Sequence, residues 1–374
     1  MERVLVTLDP LGGVFAYALT LARHLAEDGV QVLLASMGGA LSAEQRAEVT
    51  SIRSVTLAES DFALEWMDDP WRDVATAGEW LLALEREFRP SVVHLNGYAH
   101  ARAGFRAPVV VVAHSCVASW WRAVWNEPAP PRYDTYRASV EGGLRAAAAV
   151  VAPSAAMLRA LSTEYRAPLA NATVIHNGVP AERFRGAVKE PFVLASGRLW
   201  DRAKNLGDIS ARAGELCWPF LLAGESVSPD GAALSYPANV KMLGRLSPEQ
   251  MADVMSRAAL FVHPALYEPF GLAPLEAALS GCALVLADID SLREIWGDAA
   301  EFVAPRNVRA FLDVANRLAR SADEREELAR RARARALSFS ARTMTNAYSS
   351  LYRSLVERQP RNTSIELGRP EISA

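Results

Sequence analysis

Apolar residues fall along this chain in short unbroken runs separated by stretches of helical period. Val4 to Leu8 is such a run and stops at Asp9-Pro10-Leu11-Gly12-Gly13. Val14 to Ala26 then carries apolar positions at helical spacing until Gly29, and Val30 to Ala35 begins a second strand. Strand, glycine turn, helix and strand in that order open a doubly wound α/β domain, whose ligands lie at the carboxyl ends of strands. Val92 to Gly97 and Val109 to Ala113 begin with continuous apolar runs and predict parallel strands buried on both faces. Each ends on a polar residue, the second delivering His114-Ser115 to the sheet edge.

The same alternation continues. Gly78 to Phe88 and Tyr133 to Ala148 predict helices, Val150 to Ala152 and Thr173 to Ile175 strands, and Ser154 the cap of a further helix. Met37 to Arg72 has no period to assign, with Trp66 and Trp71 flanking Asp68-Asp69-Pro70. Composition turns polar and broken from Pro180 to Glu190, which marks a hinge, and strands resume at Phe192 to Ala195, Phe220 to Ala223, Val240 to Leu243, Leu260 to Pro264 and Ala283 to Ala287. Asn307 to Leu337 reads as solvated helices with Arg and Glu at pairing distances. Ala341 to Val356 predicts a terminal helix with Tyr348, Leu351, Tyr352 and Leu355 on one side. The expected organisation is a first domain over 1–180, a second over 181–340, a terminal helix over 341–358 and a disordered tail over 359–374.

At 374 residues the chain exceeds one ordinary core and suits two domains. Half its residues are apolar and its formal charge is −3, which argues against disorder and against a nucleic-acid-binding surface. No apolar stretch reaches the length of a membrane span. Cys116, Cys217 and Cys282 are far apart and odd in number, which fits reduced thiols and neither a zinc site nor a disulfide framework. With no basic start or cleavage site ahead of the first strand, the expectation is a soluble cytoplasmic enzyme, with peripheral contact at the inner membrane face as the limit of any membrane association.

Chemistry concentrates at Tyr267-Glu268-Pro269-Phe270-Gly271-Leu272-Ala273-Pro274-Leu275-Glu276. Pro274 suits a first helical turn, so the N–H groups around Phe270, Gly271, Leu272 and Ala273 face outward at a positive helix end, ready for an anion such as a diphosphate. Glu268 precedes the glycine turn and Glu276 is expected within the first helical turn, so two hydroxyl-binding carboxylates bracket one site. A ligand with phosphates in the middle and polyols at either end, a nucleotide sugar, would use all of it; a strand-loop-helix with solvated acids is the plain alternative. Upstream, Gly197-Arg198 and Lys204 place two cations across a glycine-led loop before a helix capped by Asn205, where they can clamp a diphosphate. Gly244-Arg245-Leu246 leads into Ser247-Pro248, a capped helix start. Asp288 and Asp290 at a strand end raise the thought of a divalent cation, but Arg198 and Lys204 already supply positive charge, and no metal site is assigned.

The Glu268-Pro269-Phe270-Gly271-Leu272 and Glu276 pattern resembles the paired-glutamate signature of the family-4 retaining glycosyltransferases, and the likeness extends to His176-Asn177-Gly178-Val179 and to the Arg198 and Lys204 loop. The resemblance implies the GT-B fold: two α/β Rossmann-like domains facing across a cleft, an acceptor domain first and a nucleotide-sugar donor domain second, with a terminal helix crossing back. It implies that Glu268 holds donor-sugar hydroxyls, that Phe270, Gly271 and Leu272 hold sugar and phosphate through N–H groups, and that Glu276 holds the ribose. Gly12 and Gly13 would face the donor phosphates and acceptor, although a plain tight turn explains them too. Gly244, Arg245 and Leu246 would meet the base, and His114 the donor sugar near the reacting carbon; His94 reads instead as a satisfied core group. The segment from Asp288 to Pro305 departs from the family wording, with Ser291-Leu292-Arg293-Glu294 in place of twin glycines.

Trp120, Trp121 and Trp125 are candidates for stacking on an acceptor, with packing of one helix as the alternative. The expected activity is metal-independent transfer, with retention, from a nucleotide diphosphate sugar to a hydroxyl on a glycan, lipid-linked or small-molecule acceptor, without a bound cofactor. Arg198, Lys204, Glu268 and His114 are its expected catalytic residues. The rivals are an epimerase or hydrolase of the same fold and a non-catalytic nucleotide-sugar-binding subunit.

Overall fold

The computed structural model describes residues 2–10, 12–225 and 240–358. The tail expected from Gln359 onward lies outside the described residues. Two wholly parallel sheets organise the chain. The first joins β1 (Arg3–Leu8), β2 (Gln31–Ser36), β3 (Val55–Glu59), β4 (Val92–Leu95), β5 (Val109–Val112), β6 (Ala149–Ala152) and β7 (Ala172–Val174) in the order β3-β2-β1-β4-β5-β6-β7. The second joins β8 (Glu190–Ser196), β9 (Phe220–Ala223), β10 (Val240–Gly244), β11 (Ala258–His263), β12 (Ala283–Ala287) and β13 (Glu301–Val303) in the order β10-β9-β8-β11-β12-β13. Strands β4, β5 and β6 are buried along their whole length, which is why their sequences show apolar runs without alternation.

In each sheet the chain builds outward to one edge and then returns to the middle to build toward the other. The reversal falls between β1 and β4 in the first sheet and between β8 and β11 in the second. Connections leave the paired strands in opposite directions there, so a crevice opens at their carboxyl ends. All the chemistry described below hangs from those ends.

The helix Ala341–Arg358 packs Met344, Tyr348, Tyr352 and Leu355 into the first domain, against residues of helix Gly13–Glu27 and the first sheet. The chain crosses between domains twice, and the crossings lie side by side. Val179 N–H donates to Phe339 O (3.3 Å), and Ala341 N–H to Val179 O (3.0 Å). A Cβ on Gly178 would sit 2.2 Å from the Ser340 carbonyl oxygen, so only glycine allows the two crossings to touch.

The segment left without assignment, Met37 to Arg72, holds helix Ala43–Thr50, strand β3 and the start of helix Trp71–Phe88. That short helix buries only Val49, and β3 is half-buried at the sheet edge, so neither leaves a clear apolar period. Its cap was nevertheless written in the sequence: Ser42 and Gln45 form a reciprocal capping box. Among the described residues no helix is long and apolar enough to cross a membrane.

Candidate active site

The loop after β8 is built on Asp201. Its Oδ1 accepts the N–H of Ala203 (2.9 Å), turning the chain through Arg202–Lys204, and its Oδ2 accepts from Arg198 Nη2 (2.8 Å). The carboxylate is buried and so holds the loop and the Arg198 guanidinium in one arrangement. The Lys204 stem lies along Gly197, where a Cβ would stand 3.4 Å from Lys204 Cγ. Asn205 occupies the cap position expected of it, but its side chain does not cap. It has left-handed backbone geometry, and its amide donates instead to Pro264 O (3.0 Å) and Pro305 O (2.8 Å), tying three loops together.

The loop after β11 brings Glu268 to Lys204. Lys204 Nζ donates to Glu268 Oε2 at 2.8 Å, and His263 Nε2 approaches the same oxygen at 3.2 Å. Burial alone would raise the Glu268 carboxyl, but the Lys204 charge and the hydrogen bonds from His263 and Lys204 prevail and hold it well below the ordinary range. His263 is pushed down by burial, against the pull of Glu268. Glu268 is therefore an ionised carboxylate in a half-buried setting. Gly271, at φ +96°, starts helix Leu272–Leu279, and the N–H groups of Phe270, Gly271, Leu272 and Ala273 have no acceptor among the described residues. The Phe270 ring is itself buried, 5.7 Å from the Phe339 ring, so only its backbone can serve a ligand.

Because that helix begins at Leu272, directly after the glycine, Glu276 stands in its second turn and not its first. No hydrogen bond reaches its carboxylate among the described residues. Burial pushes the carboxyl up to about 7, opposed only by the more distant Arg183.

Across the cleft, Gly12 precedes helix Gly13–Glu27. A Cβ on Gly12 would lie 3.5 Å from Arg198 Nη1, and one on Gly13 would lie 3.2 Å from Leu272 Cδ1. The first-domain glycines thus meet both second-domain loops. Gly12, Gly13, Gly197, Arg198, Lys204, Glu268, Gly271 and Leu272 form one locus. Gly244, Arg245 and Leu246 adjoin it through Gly224. Gly224 N–H donates to Gly244 O (2.8 Å), and a Cβ on Gly224 would fall 1.8 Å from Gly197 O. Arg245 is exposed and close enough to Glu44 to help hold that carboxyl low, after the larger effects of Ser42 and the local backbone. Leu246 packs on the second-domain core.

His114, just past β5, places Nε2 2.9 Å from Asn96 Oδ1, with the Tyr17 ring edge-on at 4.4 Å between centroids. Burial, with a smaller contribution from nearby His94, lowers its pKa to about 3, so the ring is neutral. The link from here to Glu268 is Tyr267: its hydroxyl lies 2.8 Å from Ser119 Oγ and accepts the Cys116 N–H at 3.2 Å. None of Trp120, Trp121 and Trp125 is a core residue. Helix Val117–Trp125 buries Ala118, Ser119 and Val124, while Trp121 contacts Trp120, Trp125 and Tyr133, and the Arg202 guanidinium covers Trp125 at 4.4 Å. Asp288 is held by Arg293 through two bonds (2.6 and 2.8 Å), whereas Asp290 faces Arg159, so the two carboxylates serve different arginines.

Asp201, His263, Asn96 and Tyr267 were not singled out from the sequence. Asp201 stands at i+3 from Arg198, and His263 closes its strand as the His114 region follows β5, and both are signals that could have been read. Asn96 and Tyr267 act through contacts that only the fold creates.

Two parallel-sheet domains facing each other, with a cationic loop and a paired-carboxylate helix start in the cleft, define the GT-B class of glycosyltransferase. Residues 11–183 match the family model described as Glycosyltransferase Family 4, and residues 187–335 match that described as Glycosyl transferases group 1. The chain belongs to this family. A glycogen synthase of Mycobacterium tuberculosis is 28% identical over 306 residues, covering 75% of this chain and 73% of the relative. In fold, the chain resembles sucrose-phosphate synthase from Thermosynechococcus elongatus, with TM-score 0.78 and 17% identity over 96% of this chain and 100% of that one. It also resembles Anabaena HepE solved with UDP-glucose, with TM-score 0.75 and 18% identity over 95% of this chain and 100% of that one.

Proposed function

We propose that the protein transfers a sugar from a nucleoside diphosphate sugar to a hydroxyl acceptor, with retention of anomeric configuration and without a metal ion. The observation that carries this reading is the Lys204–Glu268 pair at the meeting of the β8 and β11 loops, opposite Gly12 and Gly13. The nucleotide-sugar donor is further supported by family membership and by the UDP-glucose bound in the HepE structure.

Lys204 and Arg198 are balanced by Glu268 and Asp201. An arriving diphosphate shares Lys204 with Glu268 and lies over the free N–H groups at Gly271 to Ala273. As the bond to the anomeric carbon lengthens, negative charge grows on the phosphate and positive charge on the sugar ring. Arg198, Lys204 and the helix end stabilise the first, and the ionised Glu268, which also orients the donor hydroxyls, lies beside the second. The leaving phosphate takes the acceptor proton as the acceptor attacks from the same face, so no protein nucleophile is assigned. Glu276 orients the ribose, Gly244 to Leu246 the base, and His114 contacts the sugar. The half-exposed Trp120, Trp121 and Trp125 line the approach of the acceptor, whether glycan, lipid-linked or small-molecule. We place the enzyme in the cytoplasm, with membrane contact at most peripheral; its three unpaired cysteines support this.

Proton NMR of the product formed from an α-linked donor tests the reading: an α-linked product is expected, and a β-linked product would contradict it. In the same assay Lys204→Ala and Arg198→Ala should each lower kcat by about 10²–10³-fold, with circular dichroism spectra unchanged.

A further inference from the structure

Beneath His114 lies a connected set of polar side chains, half-buried at Asn96 and buried at Thr7, His94 and Tyr352, and it reaches the terminal helix. Asn96 follows β4, its N–H donating to Thr7 Oγ1 (2.9 Å) and its amide group to Thr7 O (2.5 Å). With the amide hydrogens turned toward Thr7, Oδ1 faces the other way. Two imidazoles meet it there: His114 Nε2 at 2.9 Å and His94 Nε2 at 3.1 Å. An amide oxygen only accepts, so each histidine bonds to it only with its proton on Nε2; the Tyr17 hydroxyl, at 3.4 Å, is the longer neighbour of His94 Nε2. The Nδ1 of each is then a bare acceptor. That of His94 is filled by the Tyr352 hydroxyl at 2.5 Å, from a residue 258 positions further along the chain. That of His114 has no partner among the described residues.

We propose that Asn96, His94 and Tyr352 are positioning residues that lock His114 as the Nε2–H tautomer, so that it meets the donor sugar as a hydrogen-bond acceptor through Nδ1. This rests on the reading of His114 as a donor contact and adds what kind of contact it makes. A ring locked this way takes a hydroxyl hydrogen from the sugar and donates nothing to the leaving phosphate. Burial agrees with the geometry, since it lowers His94 to about 4 and His114 to about 3, and a charged His114 would have no acceptor among the described residues for its Nδ1–H. The terminal helix thereby has a second task besides bracing the first domain: the Tyr352 hydroxyl holds the His94 ring through Nδ1 with its Nε2 turned to the Asn96 oxygen, which His94 shares with His114.

The test is long-range proton–nitrogen NMR on the full-length protein labelled with [15N]histidine, which gives signals from six rings, with His114 and His94 assigned from His114→Gln and His94→Gln. The wild type should show both rings neutral, protonated at Nε2 and bare at Nδ1. Asn96→Ala should mix or reverse the His114 tautomer. Tyr352→Phe, which removes one hydroxyl and keeps the ring packed, should loosen that of His94. Both variants should lower kcat by about 10- to 100-fold, the cost of a misplaced group, with the donor KM changed by less than about twofold. A wild-type His114 that is charged or protonated at Nδ1 overturns the proposal, as does an unchanged His114 pattern in Asn96→Ala. The expected tautomers with unaltered turnover in both variants would overturn the positioning role yet leave glycosyl transfer standing. A wild type that turns over no donor would instead defeat the functional reading.

Discussion

Single residues in this site differ most in how their charge is compensated. Glu268 is paired with Lys204 and His263 and stays ionised, whereas Glu276, eight residues on, is half-buried with only distant Arg183 to favour its charge. Its carboxyl moves from an ordinary 4.5 to about 7 on folding. Between those values the folded chain binds more protons than the unfolded one, so stability falls as pH rises through that window and remains lower above it. Glu276→Gln removes the ionisable group. In thermal denaturation without ligand the variant should melt higher than the wild type at pH 8, by several degrees, with the gap closing toward pH 4.5. A gap independent of pH would show that Glu276 is not held neutral by burial. Both glutamates were legible in the sequence because a motif surrounds them. Asp201 and His263 left weaker signals, since an aspartate three residues after an arginine and a histidine closing a strand are common until the fold brings them to Arg198 and Glu268.

Elements were legible to the degree that they are buried. The valine run of β5 and the apolar run of β11 could hardly be anything but interior strands, and Ser154 and Ser247 capped the helices expected of them. The β3 edge and helix Ala43–Thr50 were not legible, since each keeps one side in water and carries few apolar positions. Helix Trp71–Phe88 begins seven residues before the expected Gly78, its first turns being partly exposed. How elements touch was harder still to read. The end of β9 presses on the Arg198 loop at Gly224, whose φ of +142° suits glycine and whose Cβ, if present, would overlap Gly197 O. Gly224→Ala should therefore push the Arg198 loop out of place. We expect a loss of about 1–3 kcal/mol in denaturant unfolding together with nucleotide binding weakened by at least about tenfold. Native affinity in a destabilised variant would mean that the loop does not depend on this contact.

At the scale of the molecule, the domains meet through polar contacts beside the cleft. Ser154 Oγ donates to Pro269 O (2.7 Å), the Glu294 carboxylate accepts the Ala155 and Ala156 N–H groups (2.7 and 2.8 Å), and Arg306 donates to Val124 O (2.7 Å). Glu294, in the stretch that departs from the family wording, thus caps a helix of the opposite domain. Polar interfaces of this kind release readily, and these contacts would have to break for the domains to move apart. Each bond to the carboxylate contributes about 1.5–3 kcal/mol, enough to shift an open–closed balance by tenfold or more. Small-angle scattering of unliganded Glu294→Ala should accordingly show a larger radius of gyration than the wild type, and saturating nucleotide should restore the closed value; equal radii would assign the closure to other contacts. The central claim, that this cleft binds a nucleoside diphosphate through its own cations, is tested most directly by melting the protein with UDP, GDP, ADP and TDP in excess chelator, with Glu276→Ala alongside. One nucleotide should raise the melting temperature of the wild type, because a ligand stabilises only the state that binds it, and the variant should lose that response. Stabilisation only after a divalent ion is added would contradict the assignment of charge balance to Arg198 and Lys204.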